Sequence, residues 1–231
     1  MKTALIVATM LCAGIIAEEL PLAHYYRFDG SEIIDIVGGC NGKSVRLQQT
    51  EGVYGKALYF PKQEDPNARN EACGVSIPIA PETFTAPFTV TIWVKLDANS
   101  NYRQFKELLC LGGERGPGFR LTYFYNSLAV RTGDGKKVLS VGTNSSTVLL
   151  PLNRWFQVAV IYDGDYCGLY IDAVLKAREK IQFTLGKGTL SVGTYRNGYA
   201  YPAQGALDEL KIYKGALSHS ALVDAYLAEL K

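Results

Sequence analysis

Three tyrosines crowd one short stretch, Tyr195-Arg196-Asn197-Gly198-Tyr199-Ala200-Tyr201, with Gln204 just beyond it. Flat rings beside amide and guanidinium donors are the groups that grip a sugar, whose C–H faces are apolar and whose rim is hydroxyl. Tyr195, Arg196, Asn197, Tyr199, Tyr201 and Gln204 are therefore the candidate ligand-binding set. A second aromatic group, Tyr123-Phe124-Tyr125-Asn126, is expected at or near a hairpin turn, and Tyr102-Arg103 adds a loop candidate. The competing reading is packing. Tyr is a favoured strand residue, and adjacent rings on a strand must face opposite sides.

Catalytic patterns are scarcer. A Ser-His-Asp hydrolase needs a histidine beside its nucleophile, and the chain has only His24 and His219. The first lies in an opening strand, where a satisfied structural role is expected, and the second on the first turn of a final helix. Neither has a serine elbow. Glu32 and Asp35 are the nearest approach to a carboxylate pair, but strand residues three apart point to opposite faces, and paired glycosidase carboxyls must face one cleft. The cysteines match no zinc spacing. With 24 basic and 22 acidic residues the net charge is +2, and no strip of Lys and Arg runs along one element. Nucleic acid is not an expected partner.

The elements that would position these residues read as β. Trp155-Phe156-Gln157-Val158-Ala159-Val160-Ile161-Tyr162 alternates, breaks at Asp163-Gly164-Asp165, and resumes as Cys167-Gly168-Leu169-Tyr170-Ile171-Asp172. That is a strong hairpin pattern. Ala206 to Tyr213 forms a late strand, and Ser218 is a good N-cap for a short closing helix. The chain has 231 residues, 48% of them hydrophobic, with 23 glycines and nine prolines spread along it. One all-β domain is expected, without repeats or low-complexity tracts.

Residues 1–17 read differently. Lys2 precedes an apolar run from Ala4 to Ile16, and Ala17-Glu18 is a plausible cleavage boundary. The run is too short for a comfortable membrane span. We expect a cleaved signal peptide, a mature domain over residues 18–231 at net charge +1, no membrane span after cleavage, and a secreted or periplasmic location. Cleavage removes Cys12 and leaves Cys40, Cys73, Cys110 and Cys167, an even set for an oxidising compartment. Cys40–Cys73 is the favoured staple. Cys167 shares strand parity with Leu169 and Ile171 and should point into the core, while Cys110 looks equally buried. Those two either pair or remain inert thiols.

The Trp-led hairpin and late strand resemble the laminin-G-like (concanavalin A-like) jelly-roll family. The order of the other segments is similar. Leu22 to Gly30 resembles the family's opening strand and acidic turn, Asp35 to Gly42 its first loop, and Gly55 to Phe60 its second strand. Phe88 to Lys95 resembles its central strand with an inward Trp. The resemblance implies an all-β, two-sheet antiparallel jelly-roll sandwich with a short C-terminal helix. It also implies a structural Ca2+ joining the opening turn to the last strand, with Asp29 and Asp208 as the ligands carried over by position. Asp208 shares parity with Leu210 and Ile212 and would point inward if the strand is regular; a hydrogen-bonded Asp tying the termini is the equal alternative. Related lyases use a Gln-x-His strand, which is absent here. One departure is Asp172-Ala173, where the family usually has Asp-Gly, so register in that hairpin is open. The expected function is a non-catalytic module binding a glycan or surface or matrix glycoconjugate. The alternatives are a jelly-roll hydrolase or lyase and a protein-binding adhesion module.

Overall fold

The computed structural model describes residues 21–62, 64–65, 72–98, 105–113, 115–143 and 150–230. The expected signal peptide (residues 1–17) and Tyr102-Arg103 lie outside the described residues. Among the described residues no helix is long and apolar enough to cross a membrane.

Among the described residues, fifteen strands and one α-helix follow in order. They are β1 (Leu22–Tyr26), β2 (Lys43–Val45), β3 (Gln49–Glu51), β4 (Lys56–Phe60), β5 (Gly74–Ile77), β6 (Phe88–Leu96), β7 (Lys106–Gly112) and β8 (Gly118–Phe124). Then come β9 (Ser127–Gly133), β10 (Val138–Gly142), β11 (Trp155–Tyr162), β12 (Tyr166–Ile171), β13 (Val174–Lys180), β14 (Leu190–Val192), β15 (Gly205–Lys214) and α1 (His219–Ala228). All pairings are antiparallel. One sheet of eight strands runs β13-β12-β11-β6-β15-β4-β3 with β1 also on β15, and the other of seven runs β10-β9-β8-β7-β14-β5-β2. This is the two-sheet jelly-roll sandwich with a C-terminal helix that the sequence predicts.

The β11–β12 hairpin forms as its residues dictate. Asp163 Oδ1 accepts the N–H groups of Asp165 and Tyr166, and Gly164 takes the left-handed φ of +110° that a Cβ would oppose. The next turn closes without its glycine. Asp172 and Ala173 both adopt left-handed φ, 48° and 59°, and the open question of register resolves into a shift between Leu169 and Tyr170. Between the sheets the inward residues close on one another. Phe84 stacks on Phe119 at 4.7 Å, and Phe88 meets Phe119 edge-on at 5.4 Å. Cys167 points into this core, as its parity predicts.

Two inward expectations are corrected. Val90, Ile92 and Val94 of β6 belong to the core, so Trp93 must face the other way. It lies on the outer face of the eight-stranded sheet, stacked on Tyr226 of α1 at 5.8 Å. In β15 the register shifts between Asp208 and Lys211, and Glu209 takes a left-handed φ of 50°. This bulge puts Leu207 and Leu210 both inward. Asp208 therefore pairs with Trp93 on the helix side, opposite Leu210 and Ile212. Helix α1 starts at Ser218, whose Oγ accepts the N–H of Ala221 at 3.2 Å. It seats Leu222 on Ala159, Ile161 and Ala173, covering that outer face.

Candidate functional site

Among the described residues no helix covers the outer face of the seven-stranded sheet, and its residues are organised by register. Ser140, Arg131, Arg120, Cys110, Ser191, Ser76 and Lys43 pair in succession across all seven strands. Residues paired across a sheet share a face, so these form one row. Their strand neighbours Val130, Leu121, Leu109, Leu111, Val192, Val75 and Ile77 turn into the core.

The tyrosine loop closes over part of this row. Tyr195 N donates to Ala200 O at 2.8 Å and Gly198 N to Thr194 Oγ1 at 2.8 Å, while Asn197 N reaches Ser191 Oγ at 3.1 Å. Arg196 and Asn197 both hold left-handed φ, 49° and 51°. The loop lies close to β5 because Gly74 has no side chain; a Cβ there would sit 2.4 Å from Gly198 N. Beneath the ring of Tyr195, Arg120 pairs with Glu107, and Glu107 N donates to Tyr201 O at 3.0 Å. That ion pair is sealed from solvent.

Beside the loop opens a cleft of about 740 Å³. Its floor is Ser76, Ser191 and Cys110, one wall is Gly112, Gly113, Gly116 and Pro117, and its rim carries Lys187, Thr189, Arg196 and Asn197. Asn197 Oδ1 is buried with no hydrogen-bond partner among the described residues. The six-residue candidate set is thus divided. Arg196 and Asn197 line the cleft. Tyr195 is buried beneath Arg196, whose guanidinium is 5.0 Å from the ring centre, and Tyr199 and Tyr201 pack against Tyr195 at 6.3 and 6.2 Å. Gln204 is buried away from the cleft, its carbonyl accepting Asp97 N. The serines and Cys110 were missed because only the pairing of β5, β14 and β7 brings them together.

Asp29 and Asp208 bracket one turn. Asp208 Oδ2 accepts Val53 N at 2.8 Å and its Oδ1 accepts Glu209 N at 2.9 Å. Asp29 Oδ1 accepts Lys56 N at 2.9 Å, and its Oδ2 faces Arg27 at 3.1 Å. All four oxygens already face donors, so this pair fits the hydrogen-bonded alternative and is a poor cradle for Ca2+. Burial pushes the Asp208 carboxyl up to about 7. Among the described residues, the one group of three potential ligands within 4.8 Å is His24, Asp35 and Cys40. There too the carboxylate is a hub: Asp35 accepts His24 Nδ1 and the N–H groups of Tyr25, Val37, Gly38 and Cys40.

The structure holds Cys40, Cys73, Cys110 and Cys167 as free thiols, without the favoured Cys40–Cys73 staple and with Cys110 and Cys167 as the unpaired alternative has them. Cys73 Sγ is turned onto Arg46 O rather than toward Cys40. Cys110 faces out from one sheet while Cys167 faces into the core from the other, so the two cannot meet. Burial pushes both of these thiols up to about 12, which makes them inert.

The family model described as the concanavalin A-like lectin/glucanases superfamily matches residues 70–222. No curated protein matches the chain. Among solved structures, domain 4 of AbnA, a GH43 extracellular arabinanase from Geobacillus stearothermophilus, in complex with arabinotriose, is similar at 20% identity and TM-score 0.69. That similarity covers 90% of this chain and 98% of the arabinanase domain. The receptor binding domain of botulinum neurotoxin C/D mosaic serotype is similar at 17% identity and TM-score 0.68. Here 90% of this chain matches 51% of the other, so this chain spans about half the length of that binding domain.

Proposed function

The chain belongs to the concanavalin A-like lectin/glucanases superfamily, and from that premise we propose that it is an exported, non-catalytic module that binds carbohydrate on the outer face of its seven-stranded sheet. The observation that carries this reading is the cleft where Arg196 and Asn197 stand over the Ser76–Ser191–Cys110 floor. A left-handed non-glycine residue costs about 1–2 kcal/mol, and such strain gathers where a loop must present particular groups. The cleft offers guanidinium, amide and hydroxyl groups to sugar hydroxyls, with glycine walls that let a ring approach the backbone. An arabinanase domain of this fold in complex with arabinotriose supports the same reading. The natural targets are glycans or glycoconjugates of a surface or matrix.

The non-catalytic part rests on the carboxylates. No Asp or Glu is among the described residues lining the cleft, and Glu107 is sealed against Arg120. Glycoside hydrolysis needs two carboxyls facing the bond. Export rests on the leader at residues 1–17.

The test is calorimetric titration of the mature protein with a panel of neutral and acidic oligosaccharides, with calcium and with EDTA. Binding that survives EDTA and is abolished by Thr189→Trp, which fills the cleft from its exposed rim, is the expected result. Sugar cleavage, or binding that Thr189→Trp leaves intact, overturns it.

A further inference from the structure

A second hollow shares the cleft's sheet face. The second, about 300 Å³, is lined by Phe105, Arg115, Arg131, Lys136 and Val138. Gly112, Gly113, Gly116 and Pro117 wall the first, while Arg115 lines the second. Together they gather five cations, Lys187 and Arg196 in one and Arg115, Arg131 and Lys136 in the other. No Asp or Glu is among the described residues lining either one. The whole chain carries only +2, so this is local concentration rather than general basicity. Of the nearby carboxylates, Glu107 is paired with Arg120, and Asp134 Oδ1 accepts the N–H groups of Lys136 and Lys137 in its own turn. Glu114 lies outside the described residues.

The hollows share a construction. In each, one guanidinium lies over a ring: Arg196 at 5.0 Å from Tyr195, and Arg131 at 4.9 Å from Phe105. Phe105 is itself stacked on Phe124 at 4.0 Å. A guanidinium seated over a ring has less freedom to turn its fork of donors, an arrangement suited to planar or tetrahedral oxyanions. Arg131 and Cys110 occupy the same cross-strand row two strands apart, about 10 Å at normal strand spacing. That separation suits a short chain of sugars better than a single one.

We propose that the ligand is an acidic oligosaccharide, bearing carboxylate or sulfate groups, laid across both hollows so that each stacked arginine meets one anionic substituent. This rests on the carbohydrate-binding reading and adds to it a charge and a length. A polynucleotide is disfavoured because the cations sit in two separate hollows rather than along a continuous strip.

The experiment titrates the full chain with an oligouronate, a sulfated oligosaccharide, a neutral oligosaccharide of the same length, and an oligonucleotide of matched charge. At least one acidic sugar is expected to bind, with the neutral one about tenfold weaker or worse, and binding should weaken between about 50 and 200 mM salt. The two acidic probes separate carboxylate from sulfate. Lys187→Gln with Arg196→Gln, and separately Arg115→Gln with Lys136→Gln, should each cost about tenfold, while Lys176→Gln on β13 changes nothing. All five side chains are exposed, so fold is retained and is checked by an unchanged melting temperature. Equal binding of neutral sugar, indifferent to both pairs of substitutions, overturns the acidic ligand and leaves carbohydrate binding standing. Binding of no sugar defeats the carbohydrate reading itself. Equal binding of the oligonucleotide reduces the face to charge alone and also overturns the proposal.

Discussion

Glu107 and Arg120 form an ion pair beneath the ring of Tyr195, with side chains 0% and 4% exposed. The tyrosine loop therefore sits on a buried charge pair rather than on an apolar floor. Removing one partner leaves the other charge buried against its carboxylate's absence, a change that costs about 3–5 kcal/mol. Glu107→Ala should lower stability by that order in urea unfolding. Glu107→Leu with Arg120→Met should recover most of the loss, because replacing both charges removes the desolvation cost as well as the attraction.

Two carboxylates give stability opposite slopes with pH. Burial raises Asp208 from 3.8 to about 7 and raises Glu209 as well. Folding therefore takes up protons in this window, and stability falls as pH climbs from about 4 to 7. Burial alone would also raise Asp35, but hydrogen bonds from His24, Tyr25, Gly38 and Cys40 outweigh it and hold the carboxyl at about 2. That contribution is whole above pH 3.8 and is lost as pH falls toward 2. Urea midpoints measured across this range should peak in mild acid. Asp208→Asn should make the upper slope shallower and leave the acid limb unchanged; an unaltered upper slope would remove Asp208 from the account.

Helix α1 is fastened at its far end by one side chain. Glu229 Oε2 accepts Trp93 Nε1 at 2.6 Å and Gln157 Nε2 at 2.7 Å, and its Oε1 pairs with Lys211. Glu229→Ala strips three charge-assisted bonds, each worth about 1.5–3 kcal/mol net of solvent compensation. Hydrogen exchange of residues 219–228 should quicken and the near-ultraviolet signal of Trp93 should change, with the seven-stranded sheet unaffected.

What was legible in the sequence followed from local rules. The β11–β12 hairpin, the core direction of Cys167 and the Ser218 cap each depend on residues a few positions apart. Trp93 and Asp208 misled for a related reason. Alternation predicts which residues share a face, but not which face is covered by a helix arriving 130 residues later. It also fails at a bulge such as Glu209, whose left-handed φ carries no residue-type warning. The candidate face was half legible. Arg196 and Asn197 stand out beside their tyrosines, yet the Ser76–Ser191–Cys110 floor exists only through the pairing of distant strands. The cations were hidden for the same reason, being drawn from separate elements: β9, two loops, a hairpin turn and the tyrosine loop.

The free thiols are open to direct measurement. Cys40 is half-buried, whereas Cys73, Cys110 and Cys167 are 5%, 2% and 0% exposed. Unreduced protein treated with iodoacetamide should label at Cys40 while folded and at the other three only after unfolding. Intact-mass analysis showing a loss of two hydrogens that reductant restores would instead establish a bridge, and a Cys40–Cys73 pair would then require Cys73 Sγ to leave Arg46 O.

Ala173 holds two opposing terms in one methyl group. Its φ of 59° is a conformation that costs an alanine about 1–2 kcal/mol, which Gly would relieve. The same methyl is buried against Leu222 of α1 in the small cluster with Ala159 and Ile161, worth about 0.8 kcal/mol for a carbon removed from water. Ala173→Gly alone should therefore change stability by less than about 1 kcal/mol. In a Leu222→Ala background the methyl loses its partner while the backbone cost remains, so the same substitution should become clearly stabilising. Equal effects in both backgrounds would mean that the helix gains nothing from that methyl and that the absent glycine has another cause.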